Sequence, residues 1–346
     1  MSKRKVLVMG ASGFLGSAVT RQLVDRGDDV RVLLRAGSRT RNIDGLDIER
    51  HYGDIFDTEA VHTAMADRDV VFYCVVDTRA WLRDPAPLFR TNVEGLRGVL
   101  EIAAKAHLER FVFTSTIGTI GLAVDGVPAD ENSPHNWSNR GGAYIASRRA
   151  AEELVFEYVH DRGLPAVALC VGNTYGAGDW QPTPHGSLVA LAALGRLPAY
   201  FRGVGAMVVG IEDAARALLL AAENGRDGER YIVTESFMTA RDLYALAART
   251  GGVRPPRFGI PLPALVALGY VFSAAGRLLR RDFQLNHTAV ELLRATSELD
   301  NGKATRELNW IPSPTADAVR AGAEFFLQRH RNRRSSSAIN ESRYPG

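Results

Sequence analysis

Short apolar runs alternate with longer amphipathic stretches through the first half of the chain. KVLVMG (5–10) reads as a buried strand, and FLGSAVTRQLVDRG (14–27) puts Leu15, Ala18, Val19 and Leu23 on one helical face. VRVLLR (30–35) predicts a second strand, with a third near DIERHYG (47–53). DVVFYCVV (69–76) and RFVFTS (110–115) continue the rhythm, with a helix at 87–107 between them. LPAVALCV (164–171) adds a sixth strand after a helix that begins at Tyr144. Strands this apolar, separated by helices, imply a parallel sheet covered on both faces.

Beyond residue 172 the rhythm loosens. Helical patterns at 186–195, 211–224, 239–250, 262–280, 286–296 and 315–329 are interrupted by proline-rich and glycine-rich turns. The expected organisation is a nucleotide-binding domain over 1–172 that carries the catalytic residues, with a smaller, mostly helical substrate-binding lobe over 173–328 intertwined with it. RHRNRRSSSAINESRYPG (329–346) is polar and apolar-poor, which predicts a disordered tail.

With 346 residues, 46% of them apolar, the chain can bury a sizeable core. A net charge of +3 gives no reason to expect a nucleic-acid partner. Cys74 and Cys170 each lie within a strand-like run and read as small buried hydrophobes. The apolar run behind the basic N-terminus, Val6 to Met9, is too short for a signal sequence, so a cytoplasmic protein is expected. The eight histidines show no ligand spacing, and no metal is expected. Arginines number 38 against four lysines, a skew that raises the chance of arginine standing where a lysine is usual.

After the first strand comes GASGFLG, which is G-x-x-G-x-x-G with Gly10, Gly13 and Gly16. Following a strand and opening a helix, it predicts a turn whose backbone at Gly10, Ser12, Gly13, Phe14, Leu15 and Gly16 cradles a dinucleotide pyrophosphate. The fold class expected is therefore α/β, a Rossmann-type doubly wound parallel sheet. A carboxylate at the end of the second strand would repel a 2′-phosphate; here stand Arg35, then Ser38, Arg39 and Arg41. A guanidinium fork matches phosphate, which favours NADP(H), with NAD(H) as second choice. Asp54, in the GDIFD turn, is a candidate adenine contact or a helix cap.

The chain resembles the extended short-chain dehydrogenase/reductase family over residues 5–328. The likeness rests on the glycine turn, FVFTSTIGTIG (111–121), Y-x-x-S-R (144–148) and LDNGKATRELNWIPSP (299–314). It implies an active site of Ser or Thr, Tyr and Lys, with the hydroxyl role on Thr116 (Ser115 as runner-up) and the acid/base role on Tyr144. It also places Asn92 behind the active site. Arg148 stands where the family has lysine. It lies one helical turn from Tyr144, can supply a positive field and can bond ribose hydroxyls, but it cannot relay a proton.

VVDTRAWLRDPAPLFRTNVEGLRGVLEIAAKA (75–106) is similar to the branch holding dihydroflavonol reductases, 3β-hydroxysteroid dehydrogenases and hopanoid-associated sugar epimerases. The run Cys170-Val171-Gly172-Asn173 keeps only the asparagine of the epimerase pattern, and Ala206 to Asp213 holds neither its arginine nor its histidine. A diphosphate would lose its strongest contacts there, whereas a lipophilic alcohol or ketone would not; Arg202, nearby, is the exception. Asn173, Asp179 and Trp180 are expected to line the substrate pocket, with His185 beside them.

The leading expectation is an NADP(H)-dependent oxidoreductase acting on a carbonyl or secondary alcohol of a lipophilic substrate. A sugar epimerase or dehydratase holding NAD, and a non-catalytic nucleotide-binding protein, are the alternatives. IPLPALVALGYVFSAAGRLLRRDF (260–283) is apolar but broken by prolines, glycines and arginines, which argues against a spanning helix. It is expected to pack in the core of the lobe, with a peripheral membrane contact or a homodimer contact as the other readings.

Overall fold

The computed structural model describes residues 3–137 and 140–343, with side chains described as far as Arg333. The chain runs β1 (Lys5–Met9), α1 (Phe14–Asp25), β2 (Asp29–Leu34), β3 (Glu49–Tyr52), α2 (Thr58–Met65) and β4 (Val70–Tyr73). Next come α3 (Ala86–Phe89), a π-helical stretch Arg90–Gly95, α4 (Leu96–Ala103), β5 (Arg110–Thr116), α5 (Gly142–Arg162), β6 (Ala166–Val171) and β7 (Asn173–Tyr175). The rest is α6 (Pro184–Ala193), β8 (Ala199–Phe201), β9 (Gly205–Gly210), α7 (Ile211–Asn224), β10 (Arg230–Val233), β11 (Ser236–Thr239) and α8 (Ala240–Thr250). It closes with β12 (Phe258–Ile260), α9 (Leu262–Leu279), α10 (His287–Arg294), α11 (Gly302–Leu308) and α12 (Thr315–Arg343).

Seven strands form one parallel sheet in the order β10-β6-β5-β4-β1-β2-β3. Strand alternation divides its apolar side chains between two layers. Val6, Val8, Val30, Val32, Val112 and Val167 face α1 and α7, while Leu7, Met9, Val71, Phe111, Phe113 and Ala168 face α2, α4 and α5. The chain leaves β1 toward β2 and β3, then returns on the other side of β1 as β4. A crevice therefore opens beyond the carboxyl ends of β1 and β4, where the site lies.

The second half does not form a separate body. β10 is a seventh strand on the edge of β6, and α7 lies against α1 on the large sheet. The LDNGKATRELNW segment then ties this return down. Asn301 Nδ2 donates to the Thr234 carbonyl (2.5 Å), Lys303 Nζ to Glu229 (2.6 Å), and the buried Trp310 donates Nε1–H to the Asp213 carbonyl (2.9 Å).

The lobe itself contains more strand than the sequence pattern predicts, with a three-stranded sheet β11-β9-β7 and a β12-β8 pair beside α6, α8 and α12. Four of these strands span three or four residues, too few for a two-residue period to show. The 87–107 helix is broken into three pieces by the π-helical stretch. Two expectations are corrected outright. Residues 329–343 of the expected tail continue α12, a helix anchored by the buried Val319, Ala323 and Phe326. The segment expected in the lobe core, α9, buries only Leu265, Gly269 and Gly276.

His185, in α6, donates Nε2–H to the Thr174 carbonyl (3.0 Å) and meets the Tyr175 ring edge-on. Burial holds it down to about 4 from 6.5, against the Thr174 bond. Between those values the unfolded chain holds the extra proton. Stability is thus complete above about pH 6.5 and declines as pH falls toward about 4. Urea midpoints should follow that limb, and His185→Gln, which keeps an N–H donor, should flatten it.

Candidate active site

The turn after β1 is built so that backbone can approach what it binds. Gly10 has φ +87°, and a Cβ there would sit 2.8 Å from the Cys74 carbonyl carbon. A Cβ on Gly16 would sit 2.3 Å from the Gly10 carbonyl oxygen. Gly13 N–H donates to that same oxygen (3.0 Å), closing the turn beneath the first residues of α1. No side chain caps α1 and no acidic residue lies in its first turn, so its N–H groups remain for an anion. Ser12, Phe14 and Leu15 are half-buried at the lip. A pyrophosphate fits this cradle.

β2 is in parallel register with β1, pairing Leu33 with Met9, so the residues just past Leu34 stand beside the glycine turn. Arg35 and Arg39 are exposed there, and among the described residues neither side chain has an ion pair or hydrogen bond. Arg41 instead lies over the Trp180 ring, 4.3 Å from its centroid. Asp54 accepts the Phe56 N–H (3.2 Å) in a local turn, and the cap of α2 falls to Asp57, which accepts the Ala60 N–H (3.0 Å). The helix-cap reading of Asp54 is thus excluded, while its second oxygen makes no recorded hydrogen bond.

Across the crevice, Thr116 ends β5 and Tyr144 stands in the first turn of α5. Burial raises the Tyr144 phenol above its usual range, while the Arg148 charge and the Thr116 hydroxyl both pull it down. Thr116 and Tyr144 are therefore within interaction distance. Ser115 is not part of this pair. Alternation turns its hydroxyl to the other face of β5, where it donates to the buried Glu152. Glu152 also accepts from Thr119 Oγ1 (3.0 Å) and Arg230 Nη1 (3.0 Å). Ser115 is corrected from catalytic candidate to a supporting role.

Arg148 is 1% exposed and has no carboxylate partner. Its Nη2 donates to the Thr114 carbonyl (2.5 Å), its carbon lies 5.1 Å from the Phe113 ring centroid, and Nε and Nη1 have no partner. Two unsatisfied donors on a buried cation, beside Tyr144, are the arrangement a cofactor's ribose hydroxyls would complete. The Tyr73 hydroxyl on β4, also buried without a partner, feels the same cation.

Asn92 sits in the π-helical stretch, whose extra residue per turn pushes its side chain inward. Its Oδ1 accepts the Asp77 N–H (2.8 Å), and its Nδ2 donates to the Asp77 carbonyl (3.0 Å) and Ser147 Oγ (3.0 Å). Ser147 Oγ donates in turn to the Tyr144 carbonyl (2.8 Å). The first turn of α5 is thereby fixed to the loop after β4. Sequence reasoning missed Asp77 and Arg79 in that loop. Burial acts to raise Asp77, but its bonds to Arg79 outweigh this and hold the carboxylate below its usual range. The charged D-T-R directly after an apolar run was the available signal.

Of the expected substrate residues, Asp179 and Trp180 stand in the loop after β7, and Asn173 stands two residues past Val171, the β6 partner of Thr116. Asp179 is buried and accepts both the N–H and hydroxyl of Thr183 (each 2.9 Å to Oδ2), so it shapes its own loop. Trp180 lies between Arg41 and Arg329 and edge-on to Phe325. A small gap lined by Phe14, Tyr175, Asp179, Val319 and Phe326 puts this loop beside the glycine turn. Asn173 begins β7, where it works against the upward push that burial gives the Tyr175 phenol. None of the three is brought to Thr116 and Tyr144 by a recorded contact.

Comparison with known proteins agrees with this geometry. A family model described as "NAD dependent epimerase/dehydratase family" matches residues 6–234. The chain is 29% identical over 327 residues to a putative dihydroflavonol 4-reductase of Synechocystis sp., covering 93% of this chain and 94% of that one. It is 28% identical to sterol demethylase protein B of Methylococcus capsulatus, covering 93% and 98% respectively. The crystal structure of gox2253 superposes with a TM-score of 0.84 at 32% identity, covering 94% of this chain and 99% of that one.

Two substitutions separate the roles assigned here. Thr116→Val should lower turnover by about 100-fold at a stability cost of only about 1 kcal/mol, from loss of the Gly118 N–H bond that its hydroxyl accepts (3.2 Å). Ser115→Ala, which leaves the buried Glu152 short of a donor, should cost about 1–3 kcal/mol of stability and spare most of the turnover. Thermal melts beside steady-state rates would read both.

Proposed function

The chain belongs to the NAD-dependent epimerase/dehydratase family, and from that premise we infer that this oxidoreductase uses NADPH to reduce a carbonyl on a lipophilic substrate. The observation that carries the reading is the Tyr144–Thr116–Arg148 arrangement, with a half-buried phenol beside a hydroxyl and a buried cation whose Nε and Nη1 have no partner among the described residues. A nicotinamide cofactor, when bound, supplies the hydride chemistry. Arg148 would hold its ribose through Nε and Nη1, and the glycine turn its pyrophosphate. Thr116 orients the substrate oxygen, and Tyr144 gives that oxygen its proton. Because burial outweighs Arg148, the phenol is in its acid form at neutral pH, which suits reduction better than oxidation.

Arg35 and Arg39, exposed and unpaired at the end of β2, support the phosphorylated dinucleotide. The lipophilic substrate draws on two considerations. Ala206–Asp213 contains no arginine for a sugar diphosphate, and Arg216, just beyond it, is committed to Asp213 and the Ile311 carbonyl. The names of the relatives, a flavonoid-type reductase and a sterol demethylase protein, agree with that class. The family description also admits an NAD-holding sugar epimerase. The same titration separates the two, because an epimerase would bind NADH in preference to NADPH.

Titration should show NADPH bound more tightly than NADH, with Arg35→Ala raising the NADPH Kd by about tenfold. Tight NADH binding with negligible NADPH binding would overturn the cofactor assignment. Across a panel of lipophilic ketones, Tyr144→Phe should lower kcat by about 10³-fold with the NADPH Kd unchanged. Reduction by the wild type should stay level through neutral pH and fall only on the alkaline side of the ordinary phenol range, as the raised phenol loses its proton, whereas alcohol oxidation should rise with pH. Arg148→Gln, which removes the downward pull, should move both limbs to higher pH.

A further inference from the structure

α9 turns its apolar side outward. Ala264, Ala267, Leu268, Val271, Ala274 and Leu278 recur at intervals of one, three or four residues along one face, and all are exposed. Val271 is 61% exposed and Leu278 84%. Tyr270 and Leu279 flank the stripe, and Phe258, just before the helix, is 76% exposed. In a helix resting on a soluble lobe this is the face that should be polar. α9 meets the criteria of length and composition for crossing a membrane. It cannot do so here, because Leu265, Gly269 and Gly276 hold it along α10 and the Gly276 carbonyl accepts the Arg281 N–H (3.1 Å).

The charges around the stripe identify what covers it. From Leu243 to Arg281 the chain has no Asp or Glu and six arginines. Arg254 and Arg257 lie before the helix, and Arg277, Arg280 and Arg281 at its end; all five are exposed, and among the described residues none has a side-chain ion pair or hydrogen bond. An apolar ridge about 27 Å long, with free cations at both ends, matches a bilayer interface with anionic headgroups. A second copy of this chain would bring the same cations against one another, which disfavours a self-paired α9. We propose that the protein docks on anionic membranes through α9, lying in the plane of the interface.

The docked face is joined to the active site. Tyr270 of α9 packs on His287 of α10, with ring centroids 4.2 Å apart. The next residue, Thr288, fits so closely over Gly142 that a Cβ there would lie 2.3 Å from its methyl, two residues from Tyr144. Asn286 Nδ2 donates to the Trp81 carbonyl (2.9 Å), in the loop that carries Asp77 and Arg79. A docked α9 therefore sets the mouth of the site against the bilayer. Docking stands on α9 alone; only the delivery of a substrate from the membrane rests on the lipophilic reading above.

The test is co-sedimentation of the full chain with vesicles of phosphatidylcholine, with and without phosphatidylglycerol, at low and high salt. The protein should partition onto the phosphatidylglycerol vesicles at low salt and come off at high salt. Arg277→Ala, Arg280→Ala and Arg281→Ala combined should weaken the partition by about 100-fold or more. Val271→Asp with Leu278→Asp should abolish it while leaving the melting temperature and NADPH titration unchanged, because both side chains are already in water. Absence of binding to either vesicle at low salt, or equal binding by the variants, would overturn docking. So would a concentration-dependent dimer that the aspartate pair dissociates in a protein that ignores vesicles. The NADPH titration and soluble-ketone turnover would stand in each case, so a failure of docking is separable from a failure of the oxidoreductase reading.

Discussion

Burying a guanidinium without a counter-ion is among the more expensive things a fold can do, and the active site is organised around that expense. Arg148 is compensated within the protein only by the Thr114 carbonyl and the face of Phe113. Its position depends on α5 lying close against β5, and α5 is fixed by Ser147 and Asn92 to the loop after β4. The π-helical stretch exists where Asn92 must reach inward. Glycines at 141 and 142 let the chain enter α5 against Ile145 and Thr288. A cofactor that engages Nε and Nη1 would relieve the remaining strain, so ligand binding and the rigidity of this region are coupled.

The replacement of lysine by arginine acquires a physical meaning in this setting. A lysine ammonium has three donors around one point, whereas the guanidinium is long enough to reach back to a β5 carbonyl and still present two donors forward. Anchoring at Thr114 fixes its plane. What is lost is the ability to release a proton, so the proton lost from Tyr144 must be replaced by another route. The Thr116 hydroxyl is the group that acts directly on the phenol, whereas Ser147 reaches only the Tyr144 backbone carbonyl.

The large sheet was legible in the sequence because its strands are apolar on both faces and its turn needs glycine at fixed positions. Thr116 and Tyr144 were legible because their motif is local. The edge strand β10 was not, since RYIV is short and gains its place only by pairing with β6. The setting of Asp179 and Trp180 was not legible, because a loop's position depends on what folds onto it, here Arg41 and α12 from opposite ends of the chain. The three-residue strands of the second half carry too little periodicity to read. α9 was assigned to the core on apolar content alone; hydropathy says how much a segment avoids water, not which partner removes it from water.

The return of the chain to the large sheet also constrains how the protein is made. β6 is finished at Val171, yet its outer edge is covered by β10 only once Arg230–Val233 has emerged and paired with it. Throughout that interval a nascent chain exposes the unpaired backbone of Ala166–Val171, one of the most apolar segments in the protein, as an open template for another strand. Synthesis thus passes through a stage at which self-association competes with completion of the sheet. A truncation anywhere before residue 234 would make that stage permanent.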